Sequence, residues 1–239
     1  MRRIALLALF TVGCAGSPTA PTPVATPPPV VSAPPVVTPP PVTVTPTPNP
    51  LLSDPRFDLN FYRMFALGTL DGGPYRLRRQ TQAPRLYLRT VDDAGTPIDA
   101  GTLNDTAAAL INVAGSLTGV FGLAGLERGT GTREGQRGWI TVRWSNRPNG
   151  NICGTGQYAG ELIVLYPKNP GCRCSGGPAV SLATVKHELG HTLGFYHVDN
   201  RDELMYHAVG NVCDRHPSER EVFHARVAYS QAVGSRDPH

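Results

Sequence analysis

Apolar side chains recur at helical spacing in several stretches and alternate with polar ones in others. Phe57, Phe61, Met64 and Phe65 repeat up to Gly68, behind Asp54 as N-cap and Pro55 at the first helical position. From about Ile98 to Phe121, Leu103, Ala107, Leu110, Ile111, Ala114 and Leu117 mark a longer helix that Gly119 and Gly122 end. Leu182, Val185, Leu189 and Leu193 mark a third, and Val222, Ala225, Arg226 and Tyr229 a last one running to about Val233 behind a Ser218/Glu221 capping box. Strict alternation in Arg85 to Val91 and Trp139 to Trp144 predicts strands, and the run Glu161 to Tyr166, closed by Pro167, reads as another. The order is strand, helix, strands, helix, helix, an α+β pattern in one domain-sized stretch.

The first fifty residues do not share this patterning. A basic start, Met1-Arg2-Arg3, precedes an apolar run of nine residues from Ile4 to Val12 that includes Thr11, too short to span a bilayer and suited to a secretory signal over residues 1–16. Thr11-Val12-Gly13-Cys14 resembles a bacterial lipobox with Thr11 where Leu is usual, which implies lipidation of Cys14; ordinary cleavage near Ala15 or Gly16 is the alternative. Residues 17–52 are rich in Pro, Thr and Val, and the stretch Ser17 to Pro50 carries no charge, so an extended polyproline-like spacer is expected. At about 3.1 Å per residue it could reach on the order of 100 Å, a tether from a membrane anchor to a folded domain. Residues 53–84 form an N-terminal helix and extension, which either packs on the flank of the domain over 85–239 or acts as a pro-segment.

The candidate chemistry lies in His187-Glu188-Leu189-Gly190-His191-Thr192-Leu193-Gly194-Phe195-Tyr196-His197. His187 and His191 fall one turn apart on one helix face, where both imidazoles can reach a single cation. Gly194 can take the left-handed conformation that ends a helix, turning the chain so that His197 approaches from another side. Three nitrogens leave one position of a tetrahedral shell for water. Glu188, next to the first ligand, can take that water's proton and later give one to a leaving amine.

This stretch is the long zinc signature of the metzincin metallopeptidases, and residues 85–231 resemble the matrixin-like group. The resemblance implies a zincin-like catalytic domain, a twisted mixed sheet with a long helix, the zinc-site helix and a C-terminal helix. It implies one catalytic Zn²⁺ on His187, His191 and His197, with Met205, in Leu204-Met205-Tyr206, as an apolar floor beneath the histidines. It implies that Leu162, Ile163, Val164, Leu165 and Tyr166 form the cleft rim on which an extended polypeptide pairs; an internal strand is the alternative. Asp199, a carboxylate near the third ligand, is expected beside the site or in the loop, and His207 on an exposed turn. The activity implied is zinc-dependent endopeptidase; a surface-tethered zinc-binding module without turnover is the alternative. No cysteine-switch motif and no Asp-rich calcium loop stands out.

Besides Cys14, the chain has Cys153, Cys172, Cys174 and Cys213, an even number that favours two disulfides in an exported protein. A Cys172–Cys174 ring would be very tight, so each is expected to bond Cys153 or Cys213, in either arrangement. The net charge of +4 comes almost wholly from Arg. Clusters such as Arg76, Arg78 and Arg79 lack the interleaved aromatics of a nucleic-acid site, so no nucleic-acid partner is expected. A monomer in an extracytoplasmic location, touching membrane only through an N-terminal lipid, completes the expectation.

Overall fold

The computed structural model describes residues 49–175, 177–208 and 212–238. Cys14, the signal segment and residues 17–48 of the proposed spacer lie outside them. The described residues form one compact unit, so the 53–84 extension shares a body with the stretch that follows it.

Five strands make one sheet: Arg85–Asp92 (β1), Gly125–Gly129 (β2), Trp139–Trp144 (β3), Gly154–Gly156 (β4) and Leu162–Leu165 (β5). Their order is β2-β1-β3-β5-β4, and all neighbours are parallel except β4 against β5. Alternation decides which side is buried: Leu86 and Leu88, then Ile140, Val142 and Trp144, then Ile163 and Leu165 enter one core. The Trp144 indole N–H donates to the Arg89 carbonyl at 2.8 Å, satisfying its polar atom inside that core.

Two of these strands carry no hydrophobic signal. β2, Gly-Leu-Glu-Arg-Gly, has only a half-buried pattern, and β4 is Gly-Thr-Gly. Leu162–Leu165 pairs with β3 on one side and β4 on the other, so it is an internal strand with no free edge, and Tyr166 lies just past its end. The outer strand on this side is β4.

Four α-helices accompany the sheet among the described residues: Leu59–Leu67 (α1), Ala100–Thr118 (α2), Leu182–Leu193 (α3) and Glu219–Ser230 (α4). α2 packs on α3 and α4, and α3 packs on β4 and β5. α4 starts with the expected capping box, Ser218 with Glu221. α1 starts later than the Asp54-Pro55 signal suggests, because Asp58 accepts the N–H groups of Asn60 and Phe61. Asp54 instead turns onto the Arg56 N–H and guanidinium, while Pro50–Ser53 forms a 3-10 turn whose Leu51 and Leu52 reach the core. The spacer therefore gives way to structure a few residues before Ser53. No helix of the described residues is long and apolar enough to cross a membrane.

α1 and α4 meet around His224, which is fully buried among the rings of Phe57, Phe61 and Phe223. Its Nδ1–H donates to the Arg220 carbonyl at 2.8 Å, and its Nε2 accepts the Asp58 N–H at 2.9 Å. Both bonds require a neutral ring, and burial pushes the imidazole below the ordinary histidine range, with the Arg220 guanidinium acting the same way. An unfolded histidine titrates near 6.5, so the unfolded chain binds the extra proton first as pH falls. The stability that His224 contributes is complete above about pH 6.5 and is lost as pH drops through that value. In chelator-treated protein, His224→Phe should cost about 1–3 kcal/mol at pH 7.5. Between pH 7.5 and 5.5 it should lose less stability than wild type; denaturant titrations that give equal losses would contradict the assignment.

Candidate metal centre

The first turn of α3 is held by the two disulfides. These join Cys153 to Cys172 and Cys174 to Cys213, selecting one of the two expected arrangements. The Ser181 hydroxyl caps the Thr184 N–H, the Cys172 carbonyl takes the Ser181 N–H, and the Cys213 carbonyl takes those of Leu182 and Ala183. Four groups that a helix start leaves unpaired are thereby bonded. Two disulfides are what an oxidising, extracellular setting permits. Lys186, nearly buried in the next turn, reaches Asp214 beside Cys213 at 2.6 Å.

The other end of α3 stops at Gly194, whose φ of 108° is left-handed. A Cβ there would strike the Arg78 carbonyl, so the turn is closed by both conformation and contact. Past it, His197 folds back towards His187 and His191. One ligating atom from each of the three lies within 4.8 Å of the others.

The remaining nitrogen of each ring sets the direction of this cluster. His187 Nδ1 contacts the Leu204 carbonyl and His191 Nδ1 the Phe195 carbonyl, both at 2.8 Å. A carbonyl only accepts, so both rings carry their proton on Nδ1 and offer an unprotonated Nε2. His197 Nδ1 contacts Asp71 Oδ1 at 2.7 Å, and the His197 N–H donates to Asp71 Oδ2 at 3.0 Å. Burial pushes His187 down to about 4 and His191 well below the ordinary range, so both remain neutral at physiological pH. Three convergent imidazoles fit a divalent transition-metal ion such as zinc; the donor set alone does not name the metal.

Glu188 follows His187 and is buried against β4. A Cβ on Gly154 would come within 2.7 Å of Glu188 Cγ, and one on Gly156 would strike the Glu188 carbonyl. These glycines allow the outer strand to lie directly on the metal helix. Burial raises the Glu188 carboxyl to about 8, while the Gly156 backbone pulls it down. Met205 is fully buried with its sulfur against Gly190, on the helix between His187 and His191.

The Met205 turn is itself clamped from α4. Glu221 Oε1 accepts the Met205 N–H at 2.7 Å, and Oε2 accepts those of Leu204 at 3.1 Å and Ser218 at 2.9 Å. Burial pushes this carboxyl to about 7 against those three donors, and neighbouring Glu203 pushes the same way. The capping residue of α4 thus fixes the peptide whose carbonyl orients His187.

A cavity of about 470 Å³ opens beside Glu188 between the Cys153–Cys172 bridge, Asn169, Thr184 and His207. A smaller one, about 380 Å³, lies beyond His197 among Leu70, Asp71, Asp199 and Tyr206. His207 borders both, with its ring centre 6.4 Å from that of His197 and outside the three-histidine cluster. Asp199 is exposed, and the carboxylate that contacts His197 is Asp71 instead. Tyr158 stands edge-on to His191, stacked on Tyr196, which stacks on Tyr75. Sequence reading missed Asp71, Tyr158 and β4; the glycines of β4 were the one local hint of a close backbone approach.

No protein-family model matches the chain, and no curated protein does either.

Elemental analysis should find one metal ion per wild-type chain and none on His191→Ala. Glu221→Leu should leave the Leu204 and Met205 N–H groups unpaired in the interior, a loss of roughly 2–5 kcal/mol in denaturant unfolding. Unchanged stability would mean that the clamp on the Met205 turn is dispensable.

Proposed function

We propose that the chain is a zinc-dependent endopeptidase of the metzincin kind, cleaving extended polypeptides. The observation that supports it best is the pairing of three convergent imidazoles, two of them kept neutral by burial, with a buried carboxylate on the residue after the first of them. A parallel sheet with one antiparallel outer strand, a long helix and a methionine buried against α3 between His187 and His191 agrees with that reading.

His187, His191 and His197 would hold the ion through Nε2. A bound Zn²⁺ would supply Lewis acidity, polarising a peptide carbonyl and acidifying water. Glu188 supplies the proton transfers: its raised proton affinity suits a group that accepts a proton from the attacking water and passes it to the departing amine. A nearby cation favours its ionised form before the reaction begins.

β4 suits the binding step. Cys153 and Gln157 flank it and, with Thr155, share the register bonded to β5, so the backbone groups of Gly154 and Gly156 face the other side, where the Gly156 N–H meets Glu188. A substrate strand added there would lie over Glu188, its main chain held by ladder hydrogen bonds and its side chains facing the two cavities. The disulfides fit work outside the cytoplasm. Anchoring through Cys14 and a proline-rich tether would place the enzyme at a membrane surface.

Zinc-loaded protein should cleave a denatured polypeptide, stop on chelation and recover when Zn²⁺ returns. Glu188→Ala should retain its metal while losing at least about 10²-fold in kcat. A wild type that binds zinc yet leaves a broad peptide library intact would favour a zinc-binding surface module without turnover.

A further inference from the structure

We propose that Asp71 is a positioning residue of the metal centre, and that the segment from α1 to Gln80 is for this reason a working part of it. The proposal rests on the zinc reading above and concerns how the third ligand is prepared.

His197 is the least protected of the three ligands. It lies beyond the end of α3, and its side chain is 23% exposed, whereas His187 and His191 are buried within a helix. Packing therefore leaves its ring freer to rotate than theirs. Asp71 compensates with both oxygens, one on the ring Nδ1 and one on the N–H of the same residue. Rotation of the ring breaks the first bond, and movement of the backbone breaks the second. The carboxylate also keeps the proton on Nδ1 and Nε2 free, and it makes the imidazole a stronger donor than a carbonyl partner would. The most exposed ligand has the only ionisable partner among the three.

Asp71 is in turn held from both sides. Its 3-10 turn, Thr69–Asp71, lies between Gly68 and Gly72, both left-handed, with φ of 66° and 88°. The Tyr75 hydroxyl donates to the Asp71 carbonyl at 2.7 Å. Gly68 lies under the Tyr196 ring, which a Cβ would meet at 2.7 Å. The Tyr196 N–H donates to the Phe65 carbonyl at 2.7 Å, tying α1 to the residue before His197. Farther along, the Gln80 side-chain amide donates to the carbonyls of Thr192 and Gly160. Residues more than a hundred positions upstream thus brace the end of the metal helix and its third ligand.

The test compares the zinc dissociation constants of wild type, Asp71→Ala, Asp71→Asn and Asp199→Asn, measured by competition with a chromogenic chelator at a temperature where circular dichroism shows each folded. Asp71→Ala should bind zinc about 10- to 100-fold more weakly, with Asp71→Asn between it and wild type. Asp199→Asn, which removes the same charge from the same cavity without touching an imidazole, should stay within about twofold. Nitrogen-15 shifts of metal-free protein should show His197 protonated on Nδ1 in wild type and mixed between tautomers in Asp71→Ala. Should Asp71→Ala fail to fold, Asp71→Asn carries the comparison. Equal zinc affinity in the folded Asp71 variants, or an equal loss in Asp199→Asn, overturns the positioning role and leaves the zinc reading intact. A wild type that binds no zinc overturns both.

Discussion

Three ring N–H groups, each given to an oxygen from a different part of the chain, hold the centre of this molecule together. The acceptors are Leu204 in the turn after the helix, Phe195 just past the helix end, and Asp71 far upstream. A ligand cluster built on Nε2 atoms exists only while the Nδ1 atoms are occupied, because a rotated or re-protonated ring turns its lone pair elsewhere. Much of the surrounding architecture serves those acceptors. Glu221 at the head of α4 fixes the Leu204 peptide, Gly194 places Phe195, and α1 with its following turn places Asp71.

Burial sets the charge state of this arrangement. It keeps His187 and His191 neutral and raises the proton affinity of Glu188, so that a metal ion would meet bare nitrogens and a strongly basic carboxylate. The same exclusion of water acts at His224, where a neutral ring joins α1 to α4. Neutral histidines thus serve twice in this fold, at the centre and at the joint that supports it.

The helices and the larger strands were legible because each presents a periodic apolar face to one core. Leu182, Val185, Leu189 and Leu193 state α3 in their spacing, and its motif places His187 and His191 on one face by turn geometry alone. What sequence could not convey has two physical sources. β4 is Gly-Thr-Gly: its place depends on the space that absent side chains leave beside Glu188, which no hydrophobic pattern records. The apolar pattern points to Leu162–Tyr166 as the rim, and the sheet encloses Leu162–Leu165 of that run on both sides. Asp71 makes a contact 126 residues away, and a single carboxylate in a turn rich in glycine reads locally as nothing more than a turn. Asp199, near in sequence, looked the better neighbour for His197; proximity in space belongs to the distant residue.

The helix start anchored by Cys172 and Cys213 has a consequence for where the protein can mature. Both cystine loops hand their carbonyls to the same opening turn, so closing them fixes the angle at which two imidazoles leave the backbone. In a thiol-rich cytosol that turn would lose its moorings, and the ion would find its first two donors poorly aimed. Oxidation of the four thiols and alignment of the two imidazoles are in this sense one event, which ties assembly of the three-histidine cluster to an oxidising setting.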